Sequence, residues 1–218
     1  MRRKKTWIQY RPLVWMLAIP ILNIFYGIQN RPGAQTYSLS TNWDERIPFV
    51  PEFIVPYIVW YPFIVLTLIF LFRRRPYVYY RTLLALCLGL VICYMTYFFF
   101  QTTVARPDIE GKGLFHTLVR IIYWTDMPYN CFPSIHVLTS CLMYRSSFVF
   151  RARTRHFIRF TAAAIILSTL FVKQHVIADL FAGWLVAVFT YWIAGVSSPH
   201  GRTTANYLTK GDKSKHDT

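Results

Sequence analysis

Between residues 160 and 197 only Lys173, His175 and Asp179 can carry charge near neutral pH, and most of the other side chains there are apolar. One straight helix over that stretch would reach about 57 Å, nearly twice the ~30 Å hydrocarbon core of a bilayer. The chain therefore has to reverse near Lys173 to His175, with its three polar groups gathered at the turn. His136 lies 39 positions before His175, enough for one helix down, a short turn and one helix back. The two histidines then return to the same face of the bundle. Asp179 follows His175 by four positions, which on a helix places both side chains on one face about one turn apart.

The rest of the chain repeats this alternation of long apolar runs and short charged ones. Of 218 residues, 55% are hydrophobic and 18% aromatic, with a mean hydropathy of +0.33. That composition describes an all-α, polytopic membrane helical bundle forming one domain over residues 1–218. Six transmembrane helices are expected, at about 12–28, 52–72, 82–100, 133–150, 158–172 and 176–197. The start, MRRKKTWIQYRPLVWMLAIPILNIFYGI, has the basic and apolar parts of a signal peptide without a convincing small-x-small cleavage site, so it reads as a retained first helix. Pro56 and Pro62 fall in the second span, which stays one kinked helix because membrane helices tolerate proline. Residues 29–48 read as an outer loop. Residues 114–124, LFHTLVRIIYW, are amphipathic but too short in apolar residues to cross, and are expected at the interface or across the top of the bundle. The polar residues 198–218 form a flexible cytoplasmic tail.

The formal charge of +15 suggests nucleic acid, but the basic residues sit at the ends of apolar runs and not on one solvated face. Membrane topology accounts for them more simply. With both termini inside, the outer side keeps only Arg31, Arg46, Arg106, Lys112, Arg120 and Lys173, and the other 18 Lys and Arg residues are cytoplasmic. This positive-inside asymmetry puts Arg106, His136, His175 and Asp179 on the outer face of a multi-pass membrane protein. The run RARTRHFIR at 151–159 is then a cytoplasmic topology determinant that touches anionic lipid.

Three separated signatures carry a family resemblance. Arg106-Pro107, Pro133-Ser134-x-His136, and Ser168 with His175-x-x-x-Asp179 resemble, in order and spacing, the three motifs of the type 2 phosphatidic acid phosphatase superfamily. The chain looks closer to the branch holding inositolphosphoryl-lipid and sphingolipid head-group transferases. The resemblance covers roughly residues 100–183 and implies a role for each matching residue. His175 would attack phosphorus and become a phosphohistidine, Asp179 would orient it, and His136 would protonate the leaving oxygen and later activate water. Ser134 and Arg106 would bind phosphate oxygens. The chain departs from the pattern twice: Phe99 stands where the family has a lysine, and Thr169 where it has an arginine. Lys173 is expected to supply the missing positive charge.

Chemistry alone supports the same division of labour. Phosphoryl transfer needs a nucleophile, a proton donor for the departing oxygen and positive groups around the phosphoryl oxygens. Imidazole suits the first two roles, and a carboxylate one turn away can set its tautomer and stabilise its positive form. Two other readings stay open: a structural His175–Asp179 pair between helices, and a metal site built from His136, His175 and Asp179. Arg106 and Lys173 would repel a cation there, so no metal and no cofactor are expected.

Around this core, Asp126 and Asn130 are expected to cap or hold the loop before the PSIH turn, or to touch substrate. Ser134 is placed to cap the fourth span, and Gly183 to permit close helix packing. Tyr77, Tyr79, Tyr80, Tyr123 and Trp124 read as interface anchors. Cys87, Cys93, Cys131 and Cys141 show no metal or redox spacing and read as packing residues. The expected activity is hydrolysis of a membrane lipid phosphomonoester or diphosphate. Transfer of a phosphorylated head group between lipids is the alternative, and a non-enzymatic scaffold or transporter is the reading from another class.

Overall fold

The computed structural model of the protein describes residues 7–196, with side chains from residue 10. Arg2 to Lys5 and the expected tail at 198–218 lie outside the described residues. A 3-10 segment, Trp7–Leu17, leads into α1, Ala18–Gln29. A short helix, α2 (Asn42–Arg46), lies within the expected outer loop, followed by α3 (Ile54–Arg74) and α4 (Pro76–Phe99). After these come α5 (Leu114–Thr125), α6 (Ile135–Ser146), α7 (Ala152–Phe171) and α8 (Ile177–Val196). Among the described residues the architecture is all-α apart from one parallel pairing of two residues with two, β1 (Tyr37–Ser38) with β2 (Thr102–Thr103), which ties the segment after α1 to the one after α4.

Among the described residues, four helical stretches are long and apolar enough to cross a membrane: Tyr10–Gln29, Pro51–Arg74, Pro76–Phe99 and Ile177–Val196. They carry large apolar side chains outward, among them Phe25, Phe70, Phe98 and Trp192, as lipid-facing surfaces require. The expected fourth and fifth spans differ. At 12 residues, α6 is only about 18 Å long. Most of it is buried, including Thr139, Ser140 and Ser146, because α3, α4, α7 and α8 all pack around it. A helix enclosed by protein needs neither an apolar surface nor the full bilayer length. α7 has 20 residues, but Arg153, Arg155, His156 and Arg159 occupy its first turns.

The third span also begins earlier than its apolarity indicates, at Pro76, because proline opens the helix without losing a needed donor. Tyr79 is consequently not an interface anchor. It is fully buried and donates its hydroxyl to the Pro12 carbonyl at 2.8 Å.

α8 meets α6 along small residues. A Cβ on Gly183 would come within 2.6 Å of the Ser134 carbonyl oxygen and 3.0 Å of the Val137 Cβ, so glycine is required for this approach. The close contact brings the start of α8, which carries Asp179, against the start of α6, which carries His136. α5 lies over α3 as its amphipathic pattern predicts, burying Val119 against Ile54, Tyr57 and Val172.

Candidate functional site

The reversal between α7 and α8 is as short as the apolar run demands. The Thr169 carbonyl accepts from the backbone N–H groups of both Gln174 and His175, at 2.9 and 3.1 Å, and Lys173 takes a left-handed φ of 53°. His175 Nδ1 then lies 3.1 Å from Asp179 Oδ2, which also accepts from the Val176 N–H at 3.0 Å. Asp179 is fully buried and Asp179 Oδ1 has no hydrogen-bond partner. A buried carboxylate on Nδ1 fixes the tautomer and leaves Nε2 as the ring's other reactive nitrogen.

His136 faces this ring. The two imidazole centroids are 5.7 Å apart with the planes at 61°. α3 supplies a clamp that sequence reasoning missed: Tyr57 stacks on the His136 ring at 4.5 Å and Trp60 packs against it at 4.1 Å. Trp60 is itself anchored by its indole N–H on Thr139 Oγ1, at 2.7 Å. His136 Nε2 is buried without a hydrogen-bond partner.

Both histidines line a cavity of about 270 Å³, together with Arg106, Asp126, Asn130, Cys131 and Gln174. Arg106 Nη1 donates to the carbonyls of Asp126 (2.8 Å) and Tyr123 (3.3 Å), Nη2 donates to Gln174 Oε1, and the guanidinium lies 4.4 Å from the Tyr123 ring centroid. The Asp126 carboxylate accepts from the Tyr26 hydroxyl (2.5 Å), Asn30 Nδ2 (2.8 Å) and the Tyr57 hydroxyl (3.4 Å). It therefore stitches α1 and α3 to the loop before the PSIH turn. Asn130 holds that loop in a left-handed conformation, with φ at 60°.

Other expected site residues sit apart from the cavity. Ser134 caps α6 by accepting from the Val137 N–H at 3.4 Å, is fully buried, and does not line the cavity. The Ser168 and Thr169 hydroxyls donate to the carbonyls of Ile165 and Ile166 within their own helix. Lys173 differs most from expectation, because its Nζ turns away to the Asp44 carbonyl at 2.9 Å and it does not line the cavity. A lysine beside the short helix α2 finds a carbonyl there without crossing the turn.

That contact belongs to a clamp invisible in the sequence. Asp44 Oδ1 accepts from the Ile177 N–H at 2.7 Å, while Oδ2 accepts from the Thr41 N–H and hydroxyl. The short helix α2 thereby grips the turn that presents His175. Burial by itself would raise the Asp44 carboxyl pKa, but the Thr41 and Ile177 hydrogen bonds and the nearby Lys173 charge outweigh it and bring it below the usual value. A lowered folded-state value means that the clamp's stabilisation is complete above the ordinary Asp pKa of about 3.9 and is lost as the pH falls through the folded value. Thermal unfolding of the wild type should therefore show an acid decline over that range that is reduced in Asp44→Asn. Equal declines in both proteins would show that Asp44 does not carry the effect.

Among the described residues, Cys131, His175 and Asp179 each offer one ligand atom within 4.8 Å of the others. The set suits a metal poorly. Asp179 already occupies His175 Nδ1, and burial, followed by the Asp179 charge, pushes the Cys131 thiol well above its usual pKa, whereas metals take the thiolate. All four cysteines are free, and Cys93 and Cys131 are buried.

No known protein family, curated protein or solved structure matches this chain. The geometry of the cavity therefore carries the functional reading: a carboxylate-held imidazole, a second imidazole facing it, and a guanidinium in the same lining.

Proposed function

We propose that this protein is a membrane phosphatase that hydrolyses a lipid phosphomonoester or diphosphate through a phosphohistidine at the outer face of a six-span bundle. The observation that carries the reading is the His175–Asp179 pair opposite His136 across a cavity that Arg106 lines. His175 attacks phosphorus through Nε2, and the phosphorus–oxygen bond to the leaving group breaks. His136 gives that oxygen its proton, then takes one from the water that cleaves the phosphohistidine. Asp179 stabilises the positive ring during both steps.

A lipid substrate is favoured by a second, largely apolar chamber of about 270 Å³ that shares Asn23, Trp60, Tyr61 and Ile135 with the first. A tail can lie there while the phosphate reaches His175. The same neighbouring chamber gives transfer to a second lipid its standing, since a lipid hydroxyl held there would replace water.

The purified protein, offered a panel of labelled lipid phosphates with and without lipid alcohols, decides between them. Release of inorganic phosphate supports hydrolysis, and label moving to the alcohol supports transfer. Failure of every substrate would leave a scaffold or transporter. Turnover is expected to persist in chelator, because histidine supplies the nucleophile and protein donors the charge stabilisation. Activity that vanishes in chelator and returns with one stoichiometric metal would reverse that expectation and bring Cys131, His175 and Asp179 forward as ligands.

Sidedness has its own test. Single cysteines at 112 and 153, in a background without the native ones, are expected to be labelled and protected respectively by an impermeant reagent on intact cells. The opposite pattern would mean an inverted bundle.

A further inference from the structure

The polar nitrogens around the cavity share one property. Arg106 Nε, Gln174 Nε2, Asn130 Nδ2 and His136 Nε2 are all buried without a hydrogen-bond partner, and all four residues line the cavity. Buried N–H donors are rarely left orphaned in folded proteins, because each costs the desolvation that a bond would have offset.

The two amides cannot be dismissed as groups turned the wrong way round. Arg106 Nη2 can only donate, so the Gln174 atom it meets must be Oε1. That leaves Gln174 Nε2 as the unpaired end. Asn130 is set through one more link. Gln101 Oε1 accepts from the Gly33 N–H at 2.8 Å, while its Nε2 donates to the carbonyls of Gln29 and Arg31. The Gln101 Nε2 must then meet Asn130 Oδ1, at 2.9 Å, which leaves Asn130 Nδ2 free. Gln174 is 3% exposed and Asn130 2%.

The cations expected from the family pattern do not fill this role. Phe99 is 74% exposed and lines no part of the cavity. The Thr169 hydroxyl is bonded within its helix and Lys173 is held by Asp44. Nor does Asp126 quench the donors, since its carboxylate already accepts from Tyr26, Asn30 and Tyr57.

We infer that Gln174 and Asn130 bind the phosphoryl oxygens through their side-chain N–H groups, so that two neutral amides flank Arg106 where the family pattern would place cations. This rests on the phosphoryl-transfer reading for the identity of the ligand. Neutral donors suit a group whose charge changes little between bound substrate and transition state, and Arg106 polarises the Gln174 amide through Oε1.

The test uses the full-length chain in nanodiscs and reads binding separately from turnover. Orthovanadate and inorganic phosphate affinities are measured by calorimetry for the wild type, Gln174→Glu, Gln174→Met, Asn130→Asp and Asn130→Gly, the last keeping the positive φ of 60° without the amide. Gln174→Glu keeps the oxygen that meets Arg106 and removes the donor, and Asn130→Asp keeps the acceptor for Gln101 and tolerates a positive φ. Each substitution is expected to weaken both anions at least about tenfold and to lower kcat/KM about a hundredfold, the scale of losing one oxyanion donor. Unfolding midpoints should stay close to wild type in at least one variant of each residue. A merely structural role would lower those midpoints and, in the uncharged variants Gln174→Met and Asn130→Gly, leave the anion affinity of folded protein unchanged, whereas a new carboxylate weakens anion binding by its charge alone.

Anion affinities within twofold of wild type in the uncharged variants would overturn the inference while leaving hydrolysis intact. So would a wild type that binds neither anion. Amide-dependent anion binding without turnover of any lipid phosphate would sustain the inference and refute the phosphatase reading.

Discussion

Replacing His175 with Ala is expected to abolish both turnover and any covalent phosphoprotein, because it removes the atom that accepts phosphorus. Asp179→Asn tests the same pair more finely. Asp179 is fully buried, and Oδ2 holds both His175 Nδ1 and the Val176 N–H. An amide at this position retains one acceptor and nearly the same volume, so the start of α8 should still form. It cannot stabilise a positive imidazole, and it can present a donor to Nδ1, which favours the wrong tautomer. A loss of roughly two to four orders of magnitude in kcat follows from triads of the same logic. The measurement is single-turnover kinetics with a labelled substrate, followed by mapping of the trapped label. Stable label on a residue other than His175, or full labelling in His175→Ala, would refute the mechanism whatever the membrane topology.

How much of this site can be read from sequence depends on whether a residue leaves a periodic trace. The i, i+4 spacing of His175 and Asp179, inside a run too long for one crossing, predicts both the reversal and the pair, and the structure has both. The 39-residue return to His136 is a matter of chain length, and the two rings do meet. Gln174 leaves no trace, since one amide beside a histidine in a turn belongs to no pattern, and only the orphaned nitrogen draws attention to it. The α3 clamp is hidden differently. Tyr57 and Trp60 sit three apart in an aromatic-rich span, and sequence cannot tell an aromatic facing His136 from one facing lipid.

The Asp44 clamp joins residues 133 positions apart, a separation beyond the reach of any local rule. The six-span expectation loses its hydropathy support at α6 for a physical reason. Hydropathy assumes that a buried helix faces lipid, whereas α6 faces four other helices and returns its Thr139 hydroxyl to the Ile135 carbonyl. Proximity in sequence places Lys173 at the cavity, but a left-handed residue sends its side chain off the line of its neighbours.

His136 divides the mechanism from its bland alternative, because an acid and a structural histidine fail differently. In the proposed reaction His136 delivers a proton to the departing oxygen, so its value depends on how badly that oxygen needs one. An alkyl phosphomonoester leaves as a strongly basic alkoxide and needs the acid most. A diphosphate or an activated aryl phosphate leaves as a stable anion and needs it little. His136→Ala should therefore cut turnover of the alkyl monoester by about 10² to 10⁴, the usual worth of a positioned acid, and cut that of the activated substrates far less. Phosphate affinity should change less than kcat, since Arg106 and the rest of the cavity remain. The ring also fills the space between Tyr57 and Trp60, so its removal leaves a void that could loosen the α3 clamp. His136→Gln, which keeps a polar planar group there, controls for this: a loss of acid predicts the same leaving-group dependence in both variants. Equal losses across all leaving groups, with lowered unfolding midpoints, would assign His136 to packing and leave the protonation of the leaving oxygen to another group.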